Sequence, residues 1–342
     1  MALWQPGMER RDDWLALVTE DIIDPGREIV DPHHHLWDRG GLGYMLDGLW
    51  LDTDAGHNVV QTVFIECRAF YDRDAPAELQ SVGETETVAA ICRESEEAPD
   101  KAQVAGIVAH ADLSREDLGR ILDAHLAVGG DYLVGFRHSG ARDAEPEHLH
   151  IPGRGYARQY TDPAFQDGVR LLGERGLTYD TWHYHHQADD FLALAKAAPD
   201  TVMILDHFST PLGVGRFEGR REEIFPQWQR DMEALAKCPN VRAKLGGLLM
   251  PDNGWGWHTR DVPPGSDELV EAQGKWYRHM IDVFGPERCM FESNFPVDRT
   301  GISYAVLWNA LKKIASDYDE AAQAEMFAGT ARRVYGLPQP AA

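Results

Sequence analysis

Eight short runs of mostly apolar residues recur along this chain, and a segment with helical spacing or polar turn chemistry follows each of them. The first is Glu28-Ile29-Val30, which runs straight into Asp31-Pro32-His33-His34-His35; the others occupy 59–67, 103–110, 133–138, 177–186, 202–207, 240–245 and 289–293. The sixth, Val202-Met203-Ile204-Leu205, has no polar face. Strands of that kind between amphipathic helices indicate a parallel sheet covered on both sides. Eight such units fit a closed (β/α)8 TIM barrel, an α/β single domain, better than an open doubly wound sheet, because polar residues gather at the carboxyl ends of many strands and not at one crossover. The pattern predicts an N-terminal arm over 1–26, the barrel over 27–337 and a short tail over 338–342.

Charge narrows the partners. Against 33 Lys and Arg stand 56 Asp and Glu, a formal net charge of -23, which repels nucleic acid and anionic membrane over most of the surface. A small-molecule substrate, even an anionic one, is still allowed, since a few convergent Arg and His residues reverse the potential inside one pocket. No run approaches the ~18 apolar residues of a membrane span, and the first 31 residues lack the apolar core of a signal peptide. The four cysteines form no C-x-x-C pair, so reduced thiols in a cytoplasmic protein are expected. No G-x-G-x-x-G or P-loop follows the first strand, and nucleotide binding has no support. Homo-oligomerisation is neither required nor forbidden.

In a barrel the strand ends meet at one mouth. Read from first to eighth they supply His33 and His35, Glu66, His110, Arg137 and His138, His185, His207, Lys244 and Asn294. Alternation along the first strand sets His33 and His35 on one face and His34 on the other. In the second strand Val63 and Ile65 share a face opposite Thr62, Phe64 and Glu66, so Glu66 points inward if Val63 and Ile65 meet the helices. Glu292 shares parity with Asn294 and is expected one layer deeper. Each residue alone is more often structural, but their coincidence at so many strand ends marks a functional mouth.

Several motifs occur in a fixed order: D-x-H-x-H at Asp31, His33 and His35; G-F-R-H ending the fourth run; Asp206-His207; Asn240-Val241-x-x-Lys244-Leu245; Ser293-Asn294-Phe295-Pro296; and the 329–335 segment G-T-A-R-R-V-Y. Together, from about Val30 to Leu337, they resemble the amidohydrolase-related branch of the amidohydrolase superfamily, and most of all its sugar-lactone hydrolases and 2-pyrone-4,6-dicarboxylate lactonase. The resemblance implies that His33 and His35 are metal ligands or substrate binders, that His207 is the strand-six histidine, and that Asn294 stands where such proteins carry an Asp that binds metal and acts as general base. An amide takes no proton at neutral pH and is a weak ligand. His183, His185 and His186 all lie near the strand-five position, with His185 favoured.

Three chemistries fit these residues. In the first, His33, His35, His207 and His185 hold one divalent metal such as zinc while Glu66 or Glu292 accepts a proton from water. In the second, a metal-free site polarises a lactone or ester carbonyl with His and Arg while Asn294 orients water. The third is binding or decarboxylation of a small ring acid. The leading expectation is a hydrolase of the lactone or ester of a small, carboxylated organic acid or sugar acid, with His33, His35, His207, Asn294, Glu66 and Glu292 in the chemistry. Arg137, His138, His185, Lys244, Trp257 and His258 are expected to contact substrate: Arg137, with Arg154 or Arg158, by forked hydrogen bonds to a carboxylate, and the Trp255–Trp257–His258 loop as a lid or a subunit contact. Lys244 is also placed to neutralise buried carboxylates such as Glu66.

Overall fold

The computed structural model describes residues 11–38 and 43–339. The first ten residues of the arm, residues 39–42 of the loop after the first strand, and 340–342 of the tail lie outside the described residues. Eight parallel strands follow one another around a single sheet in chain order: β1 (Glu28–His34), β2 (Asn58–Ile65), β3 (Gln103–Ala109), β4 (Leu133–Arg137), β5 (Thr178–Thr181), β6 (Met203–Leu205), β7 (Val241–Leu245) and β8 (Cys289–Phe291). The seam between β8 and β1 closes just past both strands. The amide of His35 donates to Phe295 O at 2.8 Å, and the amide of Asn294 donates to His33 O at 3.0 Å. The fold is the expected single-domain (β/α)8 barrel.

Period-two alternation sorts each strand into two environments. Phe64, Ile107, Phe136, Tyr179, Met203, Leu205, Ala243, Leu245, Cys289 and Phe291 face the helices and form one core with them. Val30, Val63, Ile65, Val108, Ile204 and Met290 point inward and form a second core with Ala328, Ala331, Tyr335 and Leu337 of the C-terminal segment. That segment therefore closes the bottom of the barrel. The parity condition set for β2 fails: Val63 and Ile65 line the interior, and Phe64 meets the helices. Glu66 still reaches the mouth, because β2 ends at Ile65 and the chain turns there, with Arg68 in the left-handed region at φ 62°.

Other boundaries differ as well. The loop after β1 contains a helix, Leu46–Thr53, whose Asp52 accepts a hydrogen bond from Tyr44 Oη at 2.9 Å. The run over 177–186 pairs only as far as Thr181, so its histidines lie beyond the strand. The helix Pro163–Glu174 starts as its sequence dictates, with Asp162 accepting from the amide of Ala164 and Pro163 in the first turn. All four cysteines are free. Among the described residues no helix is long and apolar enough to cross a membrane.

Candidate active site

Inside the barrel, under the mouth, lies a layer of buried charge. Lys244 is fully buried, and its ammonium donates to Asp180 Oδ2 at 2.6 Å and lies 3.4 Å from Asp206 Oδ1. Asp180 also accepts from Tyr335 Oη at 2.7 Å, which ties the layer to the segment closing the bottom. Lys244 thus neutralises Asp180 and Asp206, where Glu66 had been the expected partner. Arg137 serves Glu66 instead: Nε donates to Glu66 Oε1 at 3.0 Å, Nη2 to the Glu66 carbonyl at 2.6 Å, and Nη1 lies 3.4 Å from both Asp206 Oδ2 and His33 Nε2. Charges this deep persist only when paired. Burial, the largest influence on Glu66, acts to raise its carboxyl, but the Arg137 guanidinium, with His110 and Arg68, holds it below the usual carboxylate range, whereas for Asp206 burial prevails and pushes its carboxyl up to about 6.

The histidines sit directly above. Glu292, fully buried as its parity required, bridges two of them: Oε1 lies 2.7 Å from His207 Nδ1 and Oε2 lies 2.8 Å from His33 Nδ1. The rings of His33 and His207 are 4.4 Å apart. Burial raises Glu292 to about 8 and lowers His207 to about 3, so the surroundings resist charge on either. Two sequence features make room for this pair. After β7 come Gly246 and Gly247, and a Cβ on the first would collide with Glu292, a Cβ on the second with the His207 ring. After β6, the four residues from His207 to Thr210 all have positive φ, a run that costs of order 1 kcal/mol or more per residue and aims His207 across the mouth.

His35 completes the group. Its Nδ1 lies 2.8 Å from the carbonyl of Ile65, which can only accept, so Nδ1 carries the proton and Nε2 is a lone-pair acceptor. Asn294 donates from Nδ2 to Asp298 Oδ1 at 3.0 Å, which turns its carbonyl oxygen away from Asp298. A cavity of about 130 Å³ opens over His35, Glu66, His110, Arg137, His207 and Asn294. Its walls are Trp37, Ile151, Pro152, Trp182, Met250 and Val297, and Arg68 and Arg154 stand at its side.

Of the residues singled out from sequence, His33, His35, Glu66, Arg137, His207, Lys244, Glu292 and Asn294 converge on this mouth. His110 and Arg154 also line the cavity, and the others stand apart from its lining. His185 accepts from the amide of Leu212 at 3.2 Å and packs edge-on to Phe217, because the strand ended four residues earlier; the inward residue of β5 is Asp180. His138 packs edge-on to His110 and accepts from the amide of Leu113. Trp257 is buried in the outer core, His258 lies edge-on to His150, and Trp255 is covered by the Arg221 guanidinium. The seventh loop reaches the cavity through Met250. Arg158 is exposed on its loop. Sequence reasoning missed Asp180, Arg68 and the first-turn Glu84, of which Asp180 alone had a local signal, the alternation T-Y-D-T with Tyr179 facing out.

The family model described as amidohydrolase matches residues 30–337. The chain belongs to the amidohydrolase family. It is 30% identical over 329 residues to the uncharacterized protein y4mH of Sinorhizobium fredii, covering 90% of this chain and 98% of that one. It is 28% identical over 247 residues to an L-fucono-1,5-lactonase of Burkholderia multivorans, covering 71% and 75%. A solved amidohydrolase from Burkholderia multivorans with bound zinc shares the fold at a TM-score of 0.71 and 22% identity, over 91% of this chain and 99% of that one.

The donor set of this amidohydrolase is compatible with a divalent ion. His33, Asp206 and His207 are buried and offer ligand atoms within 4.8 Å of one another, and the buried Asp206 Oδ1 makes no hydrogen bond with a described residue, its nearest cation being the Lys244 ammonium at 3.4 Å. His35 and His185, included in the set expected from sequence, are outside that group. A metal held there would polarise a carbonyl or lower the pKa of a bound water, next to two fixed cations, Arg137 and Lys244, that already touch Asp206.

Proposed function

We propose that this amidohydrolase opens the lactone, or cleaves the ester, of a small carboxylated organic acid or sugar acid at the barrel mouth. The observation that carries this reading is the His207–Glu292 pair: a buried carboxylate holds Nδ1 at 2.7 Å while the ring lines the cavity. Above the raised pKa of Glu292, about 8, its carboxylate is ionised, Nδ1 keeps its proton and Nε2 is the basic atom. His207 takes the proton from a water as the water oxygen bonds to the carbonyl carbon, and Glu292 stabilises the imidazolium so formed. The carbonyl oxygen gains negative charge facing Arg137. The ring C–O bond then breaks, His207 returns the proton to the leaving alkoxide, and a hydroxy acid results. Asn294, its amide fixed by Asp298, offers its oxygen to orient the water and has no part in moving the proton.

The L-fucono-1,5-lactonase relative supports a lactone substrate. The test is acid release from a panel of sugar lactones, carboxylated lactones and simple esters, with and without zinc. Proton release from at least one lactone, lost in His207→Gln, is the expected result; carbon dioxide release without ring opening, or no turnover across the panel, overturns it.

A further inference from the structure

Three guanidinium groups and one carboxylate line a cavity in a protein of net charge -23. The local excess of positive charge says that the occupant carries an anion, and it poses the question of which arginine meets it. Arg137 is committed: Nε and Nη2 go to Glu66, and Nη1 faces Asp206 and His33. Arg68 differs. It stands on the same wall, half-buried, and its guanidinium makes no hydrogen bond or ion pair with any described residue.

Its backbone is held in place. Arg68 has φ 62°, and the amides on either side of it donate to one carboxylate: Ala69 N–H to Glu84 Oε1 at 2.6 Å and Cys67 N–H to Glu84 Oε2 at 3.3 Å. Glu84 is buried, and Cys67 Sγ reaches back to the carbonyl of Leu36 at 3.3 Å. A solvated arginine needs no such mounting. A left-handed turn clasped by a buried acid is unfavourable locally, and here it presents to the cavity a forked cation whose charge is felt at Glu66 but whose N–H groups make no hydrogen bond with a described residue.

We infer that Arg68 is the residue that recognises the substrate's anion, a carboxylate distinct from the scissile acyl group, while Trp37 and Trp182 flank the body of the molecule. This rests on the hydrolase reading for the word substrate but not for the binding. The occupant is thus a lactone or ester that also bears a free carboxylate, bound by paired N–H to O contacts.

Equilibrium binding separates this inference from the hydrolase reading. Calorimetric titrations use glutarate, 3-hydroxyglutarate and benzene-1,3-dicarboxylate, each beside its uncharged diamide, with wild type, Arg68→Met and Arg68→Lys. Wild type is expected to bind at least one dicarboxylate ten-fold or more tighter than its diamide. Arg68→Met is expected to erase that preference, a loss of about 10- to 100-fold, and Arg68→Lys to restore part of it. Arg68→Gly, which suits φ 62°, gives the same readout if the Met variant folds poorly. No preference in wild type, or a preference that survives Arg68→Met and Arg68→Gly, overturns the inference. Failure to hydrolyse any lactone overturns the proposed reaction and leaves this binding result standing.

Discussion

Glu84 offers a test of the turn that carries Arg68 without any knowledge of substrate. Its carboxyl is 2% exposed in the first turn of the helix Val82–Glu96 and accepts the amides of Cys67 and Ala69. Burial, followed by repulsion from the Glu66 carboxylate, raises it from 4.5 to about 7. Between those two pH values the folded protein keeps a proton that the unfolded chain has released. Stability from this group is therefore fully present below about 4.5, falls as pH rises, and is lost once pH passes about 7. At about 1.36 kcal/mol for each pH unit of the window, the loss is about 3 kcal/mol. Glu84→Gln abolishes the titration. The Gln amide also turns an N–H toward Cys67 or Ala69, a cost of about 1–3 kcal/mol that does not vary with pH. The quantity to follow is thus the difference in Tm between wild type and variant, by scanning calorimetry from pH 4.5 to 8.5. With an unfolding entropy near 0.7 kcal/mol/K for a chain of this size, wild type should lose about 4 °C relative to Glu84→Gln across the range. A difference that stays constant with pH, or that moves in favour of wild type toward alkaline pH, refutes the reasoning.

Further predictions follow from the same geometry. Glu292→Gln keeps the shape of the bridge but cannot stabilise an imidazolium, so kcat on an accepted lactone should fall by about 10²- to 10⁴-fold with KM little changed, as steady-state kinetics would show. Lys244→Met leaves Asp180 and Asp206 without their ammonium inside the barrel, and urea unfolding should show a loss of about 3–5 kcal/mol. Because that ammonium also lies 3.4 Å from Asp206 Oδ1, its removal should raise the affinity for zinc, read by calorimetry as tighter binding than in wild type; unchanged affinity would mean that Lys244 does not compete with a metal.

Most of the mouth was legible because a parallel barrel turns a linear pattern into a ring. Residues at the strand ends, such as His33, Arg137, His207, Lys244 and Glu292, needed only the strand assignment and its parity to be brought together. What escaped depends on how each strand ends. The 177–186 run looked like one strand to its last histidine; pairing stops at Thr181, so His185 left the set and Asp180 took its place. Glu66 was placed at the mouth by a parity that proved reversed, and it arrives there through the left-handed turn that follows. Arg68 and Glu84 are sixteen positions apart with no local pattern to join them, and only the folded chain shows that one clasps the backbone of the other.

The depth of the charges explains how one mouth can combine a reluctant base with an anion site. Arg137 pairs with Glu66 at the cavity wall and Lys244 with Asp180 and Asp206 beneath it, so the acids at and under the cavity are already paired. Without those two cations a substrate carboxylate would meet a strongly negative floor, and binding would be opposed whatever Arg68 contributed. Glu292 is fully buried and bridges His33 and His207, of which His207 alone lines the cavity, so burial raises its carboxyl and His207 is its route to the cavity. The same partition accounts for Asn294: an Asp at that position would add a further negative charge at the rim, beside Asp298, which burial already holds well above the usual carboxylate range. An amide there keeps the hydrogen bond to Asp298 and adds no charge at the rim of the anion site proposed for Arg68.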